Sequence, residues 1–393
     1  MYRFGSSVLT VALIGLAPPT PAWAQIDVVL SDAPVWSEGA SWTLSERPRL
    51  VIGGRGDEDE ADALYRVEDA VRLPDGKIAI ANRGTQEIRV FAEDGQLEST
   101  FGRLGQGPGE FEWLGGLDTC GDPDELTAFD QVNHRLTVFN WRTGQVLHTN
   151  TVRAPAGTTG IPYDHRCHGS SEVLVATRGV ADAVSYGLYE VPVVVSLWDP
   201  VGGDHRVLDV RGSYARHRFE TSDGPALFGR KALVAVGRTR VFVAPGSAGY
   251  EIVAFAKSGE RLHTIRLARS LRPLTAAVID RELEWQLMQI PESEERRRAR
   301  LRSQWGQIEF PTSLPQFEDA IVDAQGNLWV GDFTLHWEAV REWQVFDPDG
   351  HWLGTVPMSR SLKPFEIGSD YLLGRVIDDW GVETVVLHEL IKP

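Results

Sequence analysis

The stretch DAVRLPDGKIAIANRGTQEIRVFAEDGQLESTFG, residues 69–102, has a near relative far downstream in DAIVDAQGNLWVGDFTLHWEAVREWQVFDPDGHWLGTV, residues 319–356. In each copy an apolar stretch runs to a tight turn, a second strand follows, and a polar loop leads to a third strand that ends in Val-Phe. An Asp-Gly turn then opens a fourth strand. Alternating apolar and polar residues bounded by Gly and Asp turns are typical of β-hairpins. The stretch therefore predicts a unit of four short antiparallel strands.

The same unit can be traced four more times, beginning at Gly115, Tyr163, Lys231 and Pro364. Six such units, with a period in the forties that longer loops extend in two of them, predict an all-β fold, a six-bladed β-propeller with four-stranded antiparallel blades. The last unit stops after its third strand. Because open sheet edges invite aggregation, we expect an N-terminal strand, residues 48–53, to close the ring. We expect one domain over residues 25–393, with a helical insert at about residues 269–317.

The first 24 residues have the pattern of a secretory signal peptide. Arg3 precedes an apolar core, and the sequence Ala-Trp-Ala before Gln25 fits the small-x-small cleavage rule, so Gln25 would begin the mature chain. We therefore expect a periplasmic or secreted protein, with an uncleaved N-terminal anchor as the alternative. No later run approaches ~18 consecutive apolar residues, which predicts no transmembrane segment after cleavage.

The chain is acidic, with a formal net charge of −16 over 393 residues. An acidic surface repels nucleic acids, so we expect no nucleic-acid partner, and we expect a monomer. The chain has two cysteines, Cys120 and Cys167. In an oxidising compartment they are candidates for a disulfide, and two separate buried thiols are the alternative.

A glycine-rich segment, FGRLGQGPGEF at residues 101–111, could turn the chain or cradle a phosphate. A phosphate loop needs a helix N-terminus after it, and a Walker A loop also needs a lysine. Here the segment is followed by FEWLGGLDTC, which has no helical periodicity, and the lysine is absent. The segment therefore predicts a turn between blades, in which glycines allow positive φ angles.

This glycine segment, together with FDQVNHRLTVF at residues 129–139, resembles the repeats of NHL-type six-bladed propellers, a group that also includes the TolB-like and YWTD-type propellers. The resemblance implies that Asp130, Asn133 and Arg135 lie at the loop between the second and third strands of a blade and have a structural role. Members of the broader group range from protein-binding scaffolds to lyases and lactonases, so the fold alone does not determine function. The set of zinc-binding histidines found in the lyases has no match here.

The longest connections fall on one face of the predicted ring: residues 178–190, 211–230, 269–317 and 333–342. Loops on a rigid scaffold often carry function, so we expect a binding face, with tolerated insertion as the alternative. The insert should contain two helices, over residues 275–290 and 292–305, that form a lid or bracket. Trp285, Trp305 and Trp337 are candidate ligand anchors, or else they pack the insert down.

Five carboxylates lie near the starts of first strands and are candidates to converge on the propeller axis: Asp69, Asp118, Asp164, Asp319 and Glu366. Such a ring could bind calcium, another divalent cation or a cationic substrate. The alternative is that these side chains bond the backbone between blades. No other cofactor is indicated by the sequence.

The function that these features favour is recognition of a protein, peptide or glycan through the face that carries the long connections, which we call the elaborated face. The alternative is a metal-dependent propeller enzyme, lactonase-like or lyase-like, with an axial divalent ion. A structural part of an envelope assembly is a third, weaker interpretation. No catalytic motif such as a GxSxG nucleophile elbow is present, so the sequence favours binding over catalysis.

Overall fold

The computed structural model describes residues 27–37, 39–54, 63–168, 172–181, 186–220 and 222–393. The expected signal peptide, residues 1–24, lies outside the described residues. The described chain forms six sheets of four or more strands, antiparallel in all but one pairing, with one sheet for each predicted unit. The six-bladed propeller that the repeats predict is confirmed.

Three short strands precede the first blade: β1 (Asp27–Ser31), β2 (Thr43–Leu44) and β3 (Leu50–Gly53). Blade 1 contains β4 (Val67–Arg72), β5 (Ile78–Asn82), β6 (Glu87–Phe91) and β7 (Leu97–Phe101). Blade 2 contains β8 (Leu114–Asp118), β9 (Glu125–Asp130), β10 (Arg135–Asn140) and β11 (Gln145–Thr151). Blade 3 contains β12 (Gly160–His168), β13 (Glu172–Gly179), β14 (Gly187–Trp198), β15 (His205–Val207), β16 (Gly212–Arg218) and β17 (Asp223–Pro225).

Blade 4 contains β18 (Leu233–Val236), β19 (Arg240–Ala244), β20 (Glu251–Ala256) and β21 (Arg261–Leu267). The helical insert follows, with α1 (Ala276–Met288) and α2 (Glu295–Trp305). Blade 5 contains β22 (Phe317–Val322), β23 (Leu328–Asp332), β24 (Val340–Phe346) and β25 (Trp352–Ser359). Blade 6 contains β26 (Leu362–Ile367), β27 (Tyr371–Ile377) and β28 (Glu383–Ile391).

The second strand of each blade is packed on both faces by neighbouring blades. In β5, for example, all five residues, Ile-Ala-Ile-Ala-Asn, are buried. The outermost strand β7 instead alternates between half-buried and exposed residues. The sequence of a strand that is buried on both faces is a continuous apolar run. A strand with one face exposed to solvent instead alternates between apolar and polar residues. The core is therefore a circle of apolar layers between blades.

The ring is closed by β3, as the sequence predicts. This strand pairs antiparallel with β28, so that Leu50 lies opposite Leu387. Next to this pairing, Glu383 accepts a hydrogen bond from the amide of Val67 at 2.6 Å, and Arg375 donates one to the carbonyl of the same residue at 2.6 Å. The first and last blades are thus joined by backbone pairing, by apolar packing and by a pair of charged side chains.

The strands β1 and β2 also join the ring, which the sequence did not indicate. β1 pairs in parallel with β21 and adds a fifth strand to blade 4. β2 pairs with the end of β28. β1 covers the outer edge of blade 4, and β2 covers the end of β28 beyond its pairing with β3.

In blade 3 the structure differs from the sequence expectation of two long loops. Residues 187–190 begin the long strand β14, and the segment 211–230 contains the hairpin of β16 and β17. β16 pairs with the first half of β14, while β15 pairs with its last residues. The polar and apolar alternation of Ser-Tyr-Ala-Arg-His-Arg suits an additional strand. Residues that were expected to form loops therefore form additional strands of blade 3.

The helical insert is confirmed, and α2 holds the end of α1. Arg298 of α2 donates hydrogen bonds to the carbonyls of Leu287 at 2.6 Å and Ile290 at 2.8 Å. The last carbonyls of a helix lack the regular partners of its interior, and a cation beside them also favours the helix dipole. The basic run of α2 thus contributes one arginine to the packing of the insert.

The glycine segment is a connection between blades, as expected. Arg135 donates to the carbonyls of Gln106 at 2.7 Å and Glu110 at 2.5 Å and so clamps the segment from the next blade. Asp130 accepts from the amides of Glu112 at 2.9 Å and Asn133 at 3.1 Å. The strand β8, rather than a helix, follows the segment. Its geometry is that of a turn and not of a phosphate loop.

The two cysteines form a disulfide between blades 2 and 3, with their Cα atoms 5.2 Å apart. Cys120 lies just after β8, and Cys167 is in β12. The bond therefore links the innermost strands of two neighbouring blades.

Replacing both cysteines by serine should lower the free energy of unfolding by about 4 kcal/mol, because the bond closes a loop of 47 residues in the unfolded chain. Urea unfolding of the oxidised protein and of the double variant measures the difference. The reduced wild type should unfold at the midpoint of the variant. An unchanged midpoint after reduction would contradict the prediction.

Ring closure can be tested with two neighbours on β3. Ile52 is 2% exposed and Val51 is 51% exposed. Ile52→Ala should lower the free energy of unfolding by about 2–4 kcal/mol, because it leaves a cavity between blades 6 and 1. Val51→Ala is the matched control and should cost less than about 1 kcal/mol. Equal effects in urea unfolding would show that the pairing of β3 does not matter for stability.

Candidate functional site

A cavity of about 560 Å³ lies where the innermost strands of the six blades meet. All five carboxylates that the sequence singled out line it: Asp69, Asp118, Asp164, Asp319 and Glu366. The innermost strands contact one another around the ring, and β26 meets β4 to complete the circle. The closed ring is therefore what brings together carboxylates that are far apart in sequence.

A β-bulge aims most of these carboxylates at the axis. In blades 1, 3, 5 and 6 the carboxylate is the first residue paired after an irregularity in the innermost strand: Asp69, Asp164, Asp319 and Glu366. A bulge bends a strand and re-aims a side chain. In blade 2 the residue after the bulge is Gly116, and Asp118 follows two residues later on the same side of the strand. In blade 4, Leu233 lies opposite Ala244 at the start of the innermost strand.

Three of the carboxylates bond the backbone of the next blade. Asp69 accepts from the amide of Leu117 at 3.2 Å, and Asp118 accepts from the amide of Cys167 at 2.8 Å. Glu366 accepts from the amide of Arg72 at 2.7 Å and also from the hydroxyl of Tyr371. The structural role that the sequence left open as an alternative therefore applies to these three side chains.

Asp164 and Asp319 are not used in this way. Asp164 forms an ion pair with Arg166 at 3.5 Å. Asp319 accepts a hydrogen bond from the amide of Ala320, the next residue in its own strand. These two carboxylates line the cavity without joining two blades, so they are the members of the set most available to a ligand.

Arg166 is the residue that sequence reasoning missed. It lies two residues after Asp164 in β12, its side chain is 44% exposed, and it lines the cavity. The negative charge of Asp164, and then of Asp69, Asp118 and Asp319, raises the pKa of Arg166 above its usual value. The period of two in a strand was the signal that could have found it, because Asp164 and Arg166 share a side.

Burial raises the pKa of several axial carboxyls. Burial raises the pKa of Asp69 to about 6, although Arg166 and the amide of Leu117 oppose the change. Burial also raises the pKa of Asp118 and of Glu366. Burial, and then the charge of Arg166, lowers the pKa of His165 well below its usual range. His165 therefore stays neutral, and its ring packs on Phe129 with 4.0 Å between ring centres.

The pKa of Asp69 predicts a pH dependence of stability. Its value of about 6 lies above the usual 3.8, so the folded state holds the proton more tightly than the unfolded state. The stability that the protonated group contributes is fully present below about pH 4 and is lost as the pH rises through 6, by about 3 kcal/mol at most. The wild type should therefore lose stability relative to Asp69→Asn over this range, measured by urea unfolding at each pH. A difference that does not change with pH would contradict the assignment.

No three side chains of His, Cys, Asp or Glu in the described parts of the chain are grouped so as to hold one metal ion. Arg166 already places a positive charge among the axial carboxylates. The axial divalent ion that the sequence left open therefore has no preformed set of ligands among these residues.

The three tryptophans all take part in the packing of the insert. Trp305 is buried and lies against Phe310, with 5.7 Å between ring centres. Trp285 stacks on His336 at 3.9 Å. Trp337 packs at the edge of the apolar cluster between the insert and the ring. Trp305 thus has the packing role that the sequence left open as the alternative, and the other two have partners within the protein.

Comparison with known proteins supports the same architecture. Residues 60–159 match a family, DUF5128, described as a 6-bladed beta-propeller. A protein from Bacteroides fragilis NCTC 9343, described as a candidate exported protein, has a similar structure: TM-score 0.50, 12% identity, 93% of this chain and 99% of that chain covered. A member of the DUF4221 family from Bacteroides vulgatus ATCC 8482 gives a TM-score of 0.54 and 11% identity, with 90% and 99% covered.

The likeness is one of fold. At such identities it carries no information about ligand or activity, and no match was found among curated proteins. Among the described residues, no helix combines the length and the apolar character needed to span a bilayer.

Proposed function

We propose that this protein is an exported β-propeller that binds a peptide through its elaborated face, with a basic group of the peptide in the axial cavity. The observation that carries the proposal is the charge of that cavity. The five axial carboxylates outnumber the cations beside them, Arg166, Lys231 and Lys363. Two further lining carboxylates, Glu68 and Glu318, are paired with arginines, Arg83 and Arg341. The excess negative charge in a concave site favours a cationic group.

Two features favour a peptide over a protein surface or a glycan. A cavity of about 560 Å³ is concave and accepts a segment of chain rather than a flat surface. A glycan site commonly offers aromatic rings with a free face, whereas Trp285 and Trp305 are covered by His336 and Phe310. Among the ligand classes that the sequence suggested, a peptide therefore fits best.

Export rests on the signal-like N-terminus and on the disulfide. A bond between Cys120 and Cys167 is typical of an oxidising compartment. We propose cleavage before Gln25 and a periplasmic or secreted location for the mature, monomeric protein. The described exported character of the B. fragilis protein agrees with this proposal, and the resemblance of the repeats to NHL-type and TolB-like propellers fits a binding role. No observation favours the metal-dependent enzyme, and we do not propose it.

The charge of the cavity can be tested with two matched peptides. We expect acetyl-Gly-Arg-Gly-amide to bind at least about tenfold more tightly than acetyl-Gly-citrulline-Gly-amide, a difference of about 1.4 kcal/mol, because citrulline has the shape of arginine without its charge. Isothermal titration calorimetry at low salt measures both affinities. The preference should shrink at high salt, which screens the charges, and below pH 6, where Asp69 takes up a proton.

The double substitution Asp164→Asn and Asp319→Asn should remove the preference for arginine, since these carboxylates do not join blades. Asp94→Asn is the matched control, because Asp94 is exposed in a turn on the opposite face. Equal binding of the two peptides by the wild type, or an unchanged preference in the double variant, would overturn the proposal.

A further inference from the structure

A second cavity, of about 360 Å³, lies between the helical insert and the ring. Its apolar wall is formed by residues from the segment after β17, from the start of β22 and from the loop after β23: Leu227, Phe228, Phe317, Phe333 and Leu335. This volume is at the lower end of the range for small-ligand pockets. Lys231 and Glu318 line both this cavity and the axial one, so the two adjoin. We call the second cavity the insert pocket.

A buried carboxylate of α1, Glu282, lines the insert pocket and is 1% exposed. Of the apolar residues of this helix, Val278, Leu283 and Trp285 are only half-buried, whereas Leu287 is 9% exposed. Glu282 is more deeply buried than any of them. A charged side chain is rarely so buried unless it has partners or a function.

One oxygen of Glu282 has two partners, and the other has none. Oε1 accepts a hydrogen bond from the side-chain amide of Gln286 at 3.0 Å and lies 3.2 Å from Nε2 of His336. Oε2 has no hydrogen-bond partner among the described residues. A buried acceptor without a partner costs about 1–3 kcal/mol, and most such atoms in folded proteins are satisfied. The free oxygen is therefore a feature that stability alone does not explain.

The neighbours of Glu282 keep it ionised and in place. Arg360 donates to Nδ1 of His336 at 2.7 Å. Since a guanidinium can only donate, Nδ1 accepts, and the proton on Nε2 is directed at Glu282. Burial raises the pKa of Glu282, but the hydrogen bonds from His336 and Gln286 oppose this more strongly and lower it below its usual value. The parallel stacking of Trp285 on His336 fixes the imidazole ring.

We propose that the insert pocket binds an apolar residue with a free amino group, as found at the N-terminus of a peptide. The amine would donate a hydrogen bond to Oε2 of Glu282, and the side chain would pack against Phe228 and Leu335. Lys231 and Arg360, which also line the pocket, can donate to the peptide carbonyls. The choice of a peptide rests on the proposed function, and Lys231 and Glu318 mark the route by which its chain continues to the axial cavity.

The amine can be tested with two probes that differ in one group. We expect L-phenylalaninamide to bind at least about tenfold more tightly than N-acetyl-L-phenylalaninamide, because the acetyl group removes the charge and a donor. Calorimetry with the full-length mature protein measures both affinities. Equal affinities, or no binding of the free amine, would overturn the inference.

Glu282→Gln should weaken binding of L-phenylalaninamide at least about tenfold, since the charge-assisted hydrogen bond from the amine to Oε2 is lost. Glu284→Gln is the matched control, because Glu284 is exposed two residues away in the same helix. Unfolding midpoints and circular dichroism establish that both variants fold. Retained affinity in a folded Glu282→Gln protein would overturn the assignment of this residue.

Hydrogen–deuterium exchange of the wild type separates this site from the axial one without any substitution. L-phenylalaninamide should protect α1 and the loop over residues 333–339. Protection of only the innermost strands would show that the probe occupies the axial cavity, which would overturn this inference and leave the proposed function standing. Binding that depends on Glu282 but persists in the Asp164→Asn and Asp319→Asn double variant, together with failure of the arginine peptide, would support the insert pocket and reject the axial proposal.

Discussion

The backbone pairing of β3 with β28 joins the start of the chain to its end, and the other blades depend on it for their arrangement. A propeller has no sheet edges facing a missing neighbour only if its ring is closed. The same junction carries the contacts of Glu383 and Arg375 with the backbone of Val67. Once the ring is closed, the innermost strands of the blades face one another around the axis. The axial cavity and its charges are consequences of that closure.

Closure brings several carboxylates into one enclosed space, which is unfavourable unless each has a partner. The structure solves this in two ways. Asp69, Asp118 and Glu366 bond the backbone of the next blade, so their charges also hold neighbouring blades together. Arg166 places a positive charge near the remaining two, Asp164 and Asp319. Asp164 and Asp319 remain without a role between blades, and this surplus is the basis of the proposed recognition of a basic group.

The elaborated face does not present its long segments separately to solvent. The segment after β17, the helical insert and the loop after β23 pack on one another through Phe228, Leu314 and Leu335. This packing uses the tryptophans that could have served as ligand anchors, and it encloses Glu282 beside an apolar wall. The insert pocket thus lies between the helical insert and the ring, and it adjoins the axial cavity.

The repeat, the turn residues and the alternation of polar and apolar residues determine the six blades, the strand that closes the ring and the two helices, because each of these is a local pattern within a few residues. The five axial carboxylates could also be named from sequence, since a position at the start of an innermost strand implies the axis. Which of them bond a neighbouring blade could not be known, because this depends on which side chains come within reach of a backbone amide of the next blade. The roles of Arg166 and Glu282 were likewise decided only by tertiary structure. Arg166 acquires its role from carboxylates of other blades, and Glu282 from a histidine and an apolar wall that are remote in sequence.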